Sequence, residues 1–257
     1  MIAKSFDPMA ELQSAFNTLT KNWMLVVIPA VGLLICFAMF AIVLLVSGAG
    51  AIISGGLNDL STLLAVLGGA LLGVCIVGLL SVVVMSIANA AVVVAAKDVW
   101  DNRPADFGTA VSRALGRFVD LFLAGLVLAI IAVAISWTFI GPLAMIFLMM
   151  YVGPAIILGG ESAFAAMGTS WRMSTQNAGP TFAAFLGILV IGVAGAIVNA
   201  ILQHIPILGV ILALLINGFI SAFAALVIVR FYDLLKSGVT GSQVVSSAPP
   251  PPPPTAV

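Results

Sequence analysis

"GGESAFAAMGTSWRMSTQNAGPTF", residues 159 to 182, lies between two long apolar runs. It is polar enough for a loop, yet Phe164, Met167 and Trp171 follow one another at i, i+3 and i+7, one face of a helix. Ser162 can cap the start of such a helix, and Gly179-Pro180 can end it before the next apolar run. A helix of this kind is accounted for if it lies along a membrane surface with its apolar face down.

The composition agrees with a bilayer as the solvent. The 257 residues are 63% hydrophobic and 7% charged, against about 25% charged in an ordinary soluble domain. A soluble chain this apolar could not cover its own surface. Nine basic and nine acidic residues balance to zero, which gives no reason to expect a nucleic-acid partner. Cys36 and Cys75 both fall inside apolar runs and read as small buried hydrophobes rather than a disulfide or a metal site. Asp7 and Glu11, followed by an apolar run too long for a leader, argue against a signal peptide, and no lipidation motif is present.

A spanning helix needs about 20 mostly apolar residues. Six segments qualify: residues 24–47, 62–84 extending to 96, 118–140, 143–158, 181–202 and 210–229. "GAGAIISGGLNDLS" reads as the first connection and "QHIPILG" as the last turn. Gly141-Pro142 is expected to break the chain between the third and fourth spans, and Pro154 to kink the fourth. All six must be helices, because open strands cannot satisfy their backbone polar groups in lipid. With this count Lys4, Lys21, Lys97, Arg103, Arg113, Arg117, Arg172, Arg230 and Lys236 all fall on one side, and Asp59 and His204 on the other. Basic residues stay in the cytoplasm, so a cell-membrane protein with both termini cytoplasmic is expected.

Two further segments resemble the opening one. Before the first span, Met9, Leu12, Phe16, Leu19 and Trp23 form a stripe that Asp7-Pro8 can start. Before the third, Phe107, Val111, Ala114, Leu115 and Phe118 do the same. Laid together without gaps, Leu12, Phe107 and Met167 coincide, as do Phe16, Val111 and Trp171, and Ser14, Thr109 and Thr169. The fold expected is therefore an all-α membrane bundle: six spans in three hairpins, each preceded by a cytoplasmic amphipathic helix. Trp23, Trp100, Phe107 and Trp171 are its expected interfacial anchors. From Lys97 to Asp120 four basic residues meet four acidic ones, so the segment reads as a structural belt rather than a strong recruiter of anionic lipid.

"PAIILGGESAFAAMGTSWRMSTQN" resembles a signature in the membrane domain of some glycerophosphoryl diester phosphodiesterases and of related stand-alone six-span proteins. The matching positions are Pro154, Glu161, Ala165, Ala166, Ser170, Trp171 and Arg172. "GGESAF" places the glutamate further from the proline than that group usually does. The resemblance implies a membrane module, and residues 237 to 257 are too few to hold the soluble phosphodiesterase domain, so it implies one without that catalysis.

Searching for chemistry returns little. His204 is the single histidine and lies in a short turn; Ser221 lacks a Gly-x-Ser-Gly setting, and Asp233 follows Tyr232 without a Gly-x-Gly-Asp partner. No His-Glu-x-x-His occurs. No catalytic, metal-binding or cofactor-binding residue is expected. "ESAFAAMG" is similar to the coupling loop of ABC importer permeases, with its glycine one residue late. For a transporter, Asn89, Asn199 and Asn217 are the residues able to line a polar path; as structural groups they serve as hydrogen-bond links between helices. Gly69 and Gly73 form a G-x-x-x-G that allows close helix contact. Residues 237 to 257 read as a disordered tail ending in Pro249 to Pro254, a polyproline rod able to meet a partner's aromatic groove. The function expected is non-catalytic organisation of membrane lipids or partner proteins at the cytoplasmic face, with a transporter or permease subunit as the alternative.

Overall fold

The computed structural model describes residues 7–53, 60–138, 140–205 and 208–246, with side chains described from 7 to 46, 67 to 138, 140 to 205 and 208 to 237. Lys4, Asp59 and the Pro249–Pro254 run lie outside the described residues. The described residues are helical without a strand. In order they form α1 (Pro8–Lys21), α2 (Met24–Ile53), α3 (Leu60–Trp100), α4 (Phe107–Leu115), α5 (Phe118–Ile135), α6 (Ile140–Met149), α7 (Val152–Ile157), α8 (Ala163–Gln176), α9 (Ala178–Leu202) and α10 (Leu208–Ser246). Among the described residues six segments are long and apolar enough to cross a membrane: α2, α3, α5, α6 with α7, α9 and α10. The protein is an all-α, multi-pass membrane bundle, with the shorter α1, α4 and α8 preceding α2, α5 and α9.

Several boundaries differ from the sequence expectation. α2 continues through Gly48 and Gly50 to Ile53. A glycine costs about 1 kcal/mol in a helix, too little to stop one already nucleated. α3 is one uninterrupted helix, and its last turns pack within the bundle, Ala90 to Ala96 being buried. α5 stops at Ile135, earlier than expected, where Ser136 Oγ and Thr138 Oγ1 donate to the carbonyls of Val133 and Ile135 at 2.7 and 3.0 Å. Gly141-Pro142 sits in the first turn of α6, where a missing N–H costs nothing. Thr138 Oγ1 accepts from Gly141 N at 3.1 Å, so the same hydroxyl closes one helix and opens the next. Gly179-Pro180 likewise starts α9, while α8 has already ended at Gln176. α10 runs to Ser246, past the expected start of the tail at 237.

The fourth span is not kinked at Pro154 but broken before it, at Met150–Tyr151. Proline's ring collides with the carbonyl four residues back and leaves it without a donor, and four residues before Pro154 is Met150. Pro29 lies within α2, a feature that hydropathy alone does not disclose.

α3 and α10 form the centre. α10 packs on α9, α2, α3 and α1, and α3 on α2, α4, α5 and α7. Burial is concentrated toward one end. Ala88 to Ala96, Ala222 to Leu235 and Tyr151 to Ile156 supply most of the core, joined by Ala15 and Leu19 of α1. Toward the other end the large side chains are exposed: Leu44 and Leu45 of α2, Leu71 and Leu72 of α3, Val133 of α5, Ile201 of α9 and Ile211 of α10. In a bilayer such residues meet acyl chains, so no hydrophobic driving force pulls these helix ends together.

Candidate functional site

The tightly packed end is also the charged end. It is where α2, α5 and α9 begin and α3 and α7 finish, and ion pairs tie these termini together. Lys97 of α3 bonds Asp101 at 2.9 Å and Asp233 of α10 at 2.8 Å. Arg103 bonds Asp98 at 2.8 Å and Asp101 at 2.9 Å. Arg113 of α4 approaches Asp98 at 3.7 Å, and Arg117 approaches Asp120 at 3.8 Å. Arg230 of α10 donates to Glu11 of α1 at 2.7 Å. Asp106 caps α4, its Oδ2 accepting from Thr109 N at 2.7 Å, and hydrogen bonding to Thr109 holds its carboxyl below the usual carboxylate value.

The opening stretch forms two structures. First comes the turn Gly159-Gly160-Glu161. Gly160 has φ +70°, a left-handed conformation that favours glycine. A Cβ on Gly159 would lie 2.8 Å from Tyr232 Oη, and one on Gly160 3.2 Å from Arg117 Nη2. Glu161 Oε2 is buried with no hydrogen-bond partner. Then comes α8, whose first amide, Ala163 N, donates to Asp120 Oδ1 of α5 at 3.3 Å.

α8 presents two faces. Ala163, Ala166, Ser170, Met173 and Ser174 are buried, whereas Phe164 and Trp171 are 63% and 52% exposed. The inner face mends the break between α6 and α7. Ser170 Oγ donates to Leu148 O at 2.8 Å and accepts from Tyr151 N at 3.1 Å. Ser174 Oγ reaches Phe147 O at 3.1 Å and Leu148 O at 3.3 Å. Backbone groups released by a broken spanning helix need such partners. The sequence marks Ser170 only as a family-like position and gives Ser174 no role; the signal for both is the small residues at 163, 166, 170 and 174, a helical spacing on another face.

The anchor residues separate. Trp23 is 70% exposed, Phe107 and Trp171 are exposed, and so are Met9 and Phe16 of α1. In α1 the expected stripe divides: Leu19 is buried, while Leu12 packs beside Gly187 of α9. Trp100 differs from the other anchors. Its Nε1 donates to Leu226 O at 3.0 Å and the Arg230 guanidinium lies 5.0 Å from its ring centroid, so it is part of the helix packing.

Two cavities follow the seam between α3 and α7. A cleft of about 270 Å³ at the charged end is lined by Val94, Lys97, Arg113, Gly116, Arg117, Ile157 and Leu158. Deeper, a groove of about 310 Å³ lies beside the Met150–Tyr151 break, among mainly apolar side chains together with Ser86, Asn89 and Ser221. Asn89 Oδ1 accepts from Ser221 Oγ at 3.4 Å. Asn199 and Asn217 do not line this groove. Asn217 Nδ2 donates to Ala213 O of its own helix at 2.7 Å, and Asn199 Oδ1 is buried without a partner. The three asparagines are thus not gathered in one path. Among the described residues no group of His, Cys, Asp or Glu is arranged to hold a metal ion.

The family-like positions are spread over distinct tasks. Pro154 follows the helix break, Glu161 sits in the glycine turn, Ser170 supports the backbone, and Trp171 and Arg172 face outward. Compared with family models, curated proteins and solved structures, the chain matches none.

Proposed function

We propose that this membrane protein is a non-catalytic module that organises lipids, or proteins held among them, at the cytoplasmic face of the cell membrane. The observation that supports this reading is the outward face of the surface helices. Met9, Phe16 and Trp23 around α1, Phe107 and Leu115 on α4, and Phe164 and Trp171 on α8 are exposed at the charged end. In water this apolar area would be costly. At a headgroup boundary it is stabilising, and indole rings favour that depth. The one-sided placement of basic residues supports a cytoplasmic setting for this end and for both termini. The likeness of the Pro154–Arg172 segment to the membrane domain of the phosphodiesterase group belongs to the same proposal, as does a protein partner reached through the surface helices or the proline-rich tail.

Tryptophan quenching in nanodiscs tests it. In a variant retaining Trp171 as its single tryptophan, lipids brominated near the top of the acyl chain should quench its fluorescence. Quenching by aqueous iodide with no response to brominated lipid would overturn the reading. The alternative, a transporter, draws support from the groove at Asn89 alone.

A further inference from the structure

We propose that the α3–α7 seam is a binding site for one anionic phospholipid, with its phosphate in the Lys97–Arg113–Arg117 cleft and an acyl chain in the groove beneath. This deepens the lipid-organising reading and rests on it. The neutral balance of residues 97 to 120 gives no warning of such a site, because a net charge does not say which side chains converge on one cleft. The cleft lining contains three cations and no carboxylate residue. Around it, Asp98 bonds Arg103 with Arg113 further off, Asp101 is shared by Arg103 and Lys97, Asp233 bonds Lys97, Asp120 accepts from Ala163 N of α8 with Arg117 further off, and Asp106 caps α4.

The cations retain capacity for an anion. Arg113 and Arg117 have their nearest carboxylates at 3.7 and 3.8 Å, too far for good hydrogen bonds. Their side chains are 55% and 44% exposed. A guanidinium supplies five donors in a fork that fits a phosphate. Lys97, already held by Asp101 at 2.9 Å and Asp233 at 2.8 Å, adds a third cation to the cleft lining.

The shape distinguishes a lipid from a free anion. Ser86, Ala90, Val93 and Lys97 succeed one another along one helical face of α3. The first three line the groove and Lys97 lines the cleft. On α7, Ile156 lines the groove and Ile157 the cleft. A charged mouth therefore stands directly over an apolar channel containing Leu121, Leu128, Met149 and Ile228. Soluble phosphate would use only the mouth. A phospholipid uses both.

The test uses the full-length protein in nanodiscs of phosphatidylcholine doped with phosphatidylglycerol, with native mass spectrometry reading the lipids retained. Phosphatidylglycerol should be enriched over its bulk fraction. R113Q and R117Q should each lower that enrichment about fivefold, the effect of one cation near an anionic surface. K21Q removes a charge on α1, outside the cleft and its ion pairs, and should leave the enrichment unchanged. Leu128→Trp, which fills the groove and spares every charge, should lower retention of both lipids at this site. Thermal melts in detergent with inorganic phosphate identify the source of the phosphate. Stabilisation by inorganic phosphate that R113Q abolishes, without phosphatidylglycerol enrichment, would assign the mouth to a soluble phosphate and overturn the lipid assignment. No enrichment and no stabilisation, or equal losses in K21Q and R113Q, would also overturn it. If Trp171 is still quenched by brominated lipid in that event, the interfacial reading stands and only the specific site falls.

Discussion

Arg230 of α10 reaches across to Glu11 of α1, Nε to Oε2 at 2.7 Å, while its guanidinium lies 5.0 Å from the ring centroid of Trp100. One cation thus joins a surface helix to the two central helices. Both side chains are only partly exposed, 35% for Arg230 and 20% for Glu11, so the pair is less screened than a surface bridge. Glu11→Gln keeps the shape and removes the charge, and should cost about 1 kcal/mol. Hydrogen exchange of α1 amides reads it: exchange should rise through α1 and stay unchanged in α9. Equal protection in variant and parent would show that α1 is held by its Leu12 and Leu19 contacts alone.

Ser170→Ala removes a hydroxyl that serves both Leu148 O and Tyr151 N. Leaving buried backbone groups unpaired costs about 1–3 kcal/mol, and Ser170 is fully buried. Thermal unfolding in detergent should register a clear loss, and a smaller one for Ser174→Ala, because Ser170 still reaches Leu148 O. A Ser170→Ala variant with parental stability would mean that the break at Met150–Tyr151 does not depend on α8.

Close helix approach is required at some glycines and not at others. A Cβ on Gly218 of α10 would lie 2.6 Å from Val26 O of α2, whereas one on Gly192 of α9 would meet nothing within 4 Å. Gly218→Ala should therefore destabilise by about 1–3 kcal/mol, and Gly192→Ala should be neutral or stabilising by up to about 1 kcal/mol. Equal effects on the same thermal melts would contradict the α2–α10 contact.

The Asp106 cap makes α4 acid-sensitive. Its folded pKa lies below the ordinary 3.8 because Thr109 hydrogen-bonds the charged form. The stabilisation is therefore fully present above 3.8 and is lost as pH falls through the lowered folded value. Amide exchange at Thr109, corrected for its intrinsic pH dependence, should accelerate on acidification. Asp106→Asn should remove that response. A flat profile in the parent would show that the cap does not hold the helix.

The spans were legible because hydropathy and length are properties of composition, and Met24 to Val46 or Phe118 to Ile135 need no neighbours to be recognised. Their ends were less legible, since helix termination depends on local hydrogen bonds such as those of Ser136 and Thr138. The break before Pro154 follows from the proline, but its repair by Ser170 and Ser174 needs the packing of α8 on α6. The cation cleft was invisible for a similar reason. Lys97, Arg113 and Arg117 meet only after the chain turns between α3 and α4, and a charge summed along the segment does not say which side chains converge.

The threading itself is tested by cysteine accessibility in intact cells, using Cys36→Ala/Cys75→Ala as background. Single cysteines replace Arg103 and Arg172 at the charged end, and Trp137 and His204 at the other. A membrane-impermeant maleimide should label positions 137 and 204 in intact cells, and positions 103 and 172 only after the membrane is opened. Labelling of 103 or 172 from outside, or of 103 and 204 from the same side, would contradict the six-span arrangement on which the proposed role depends.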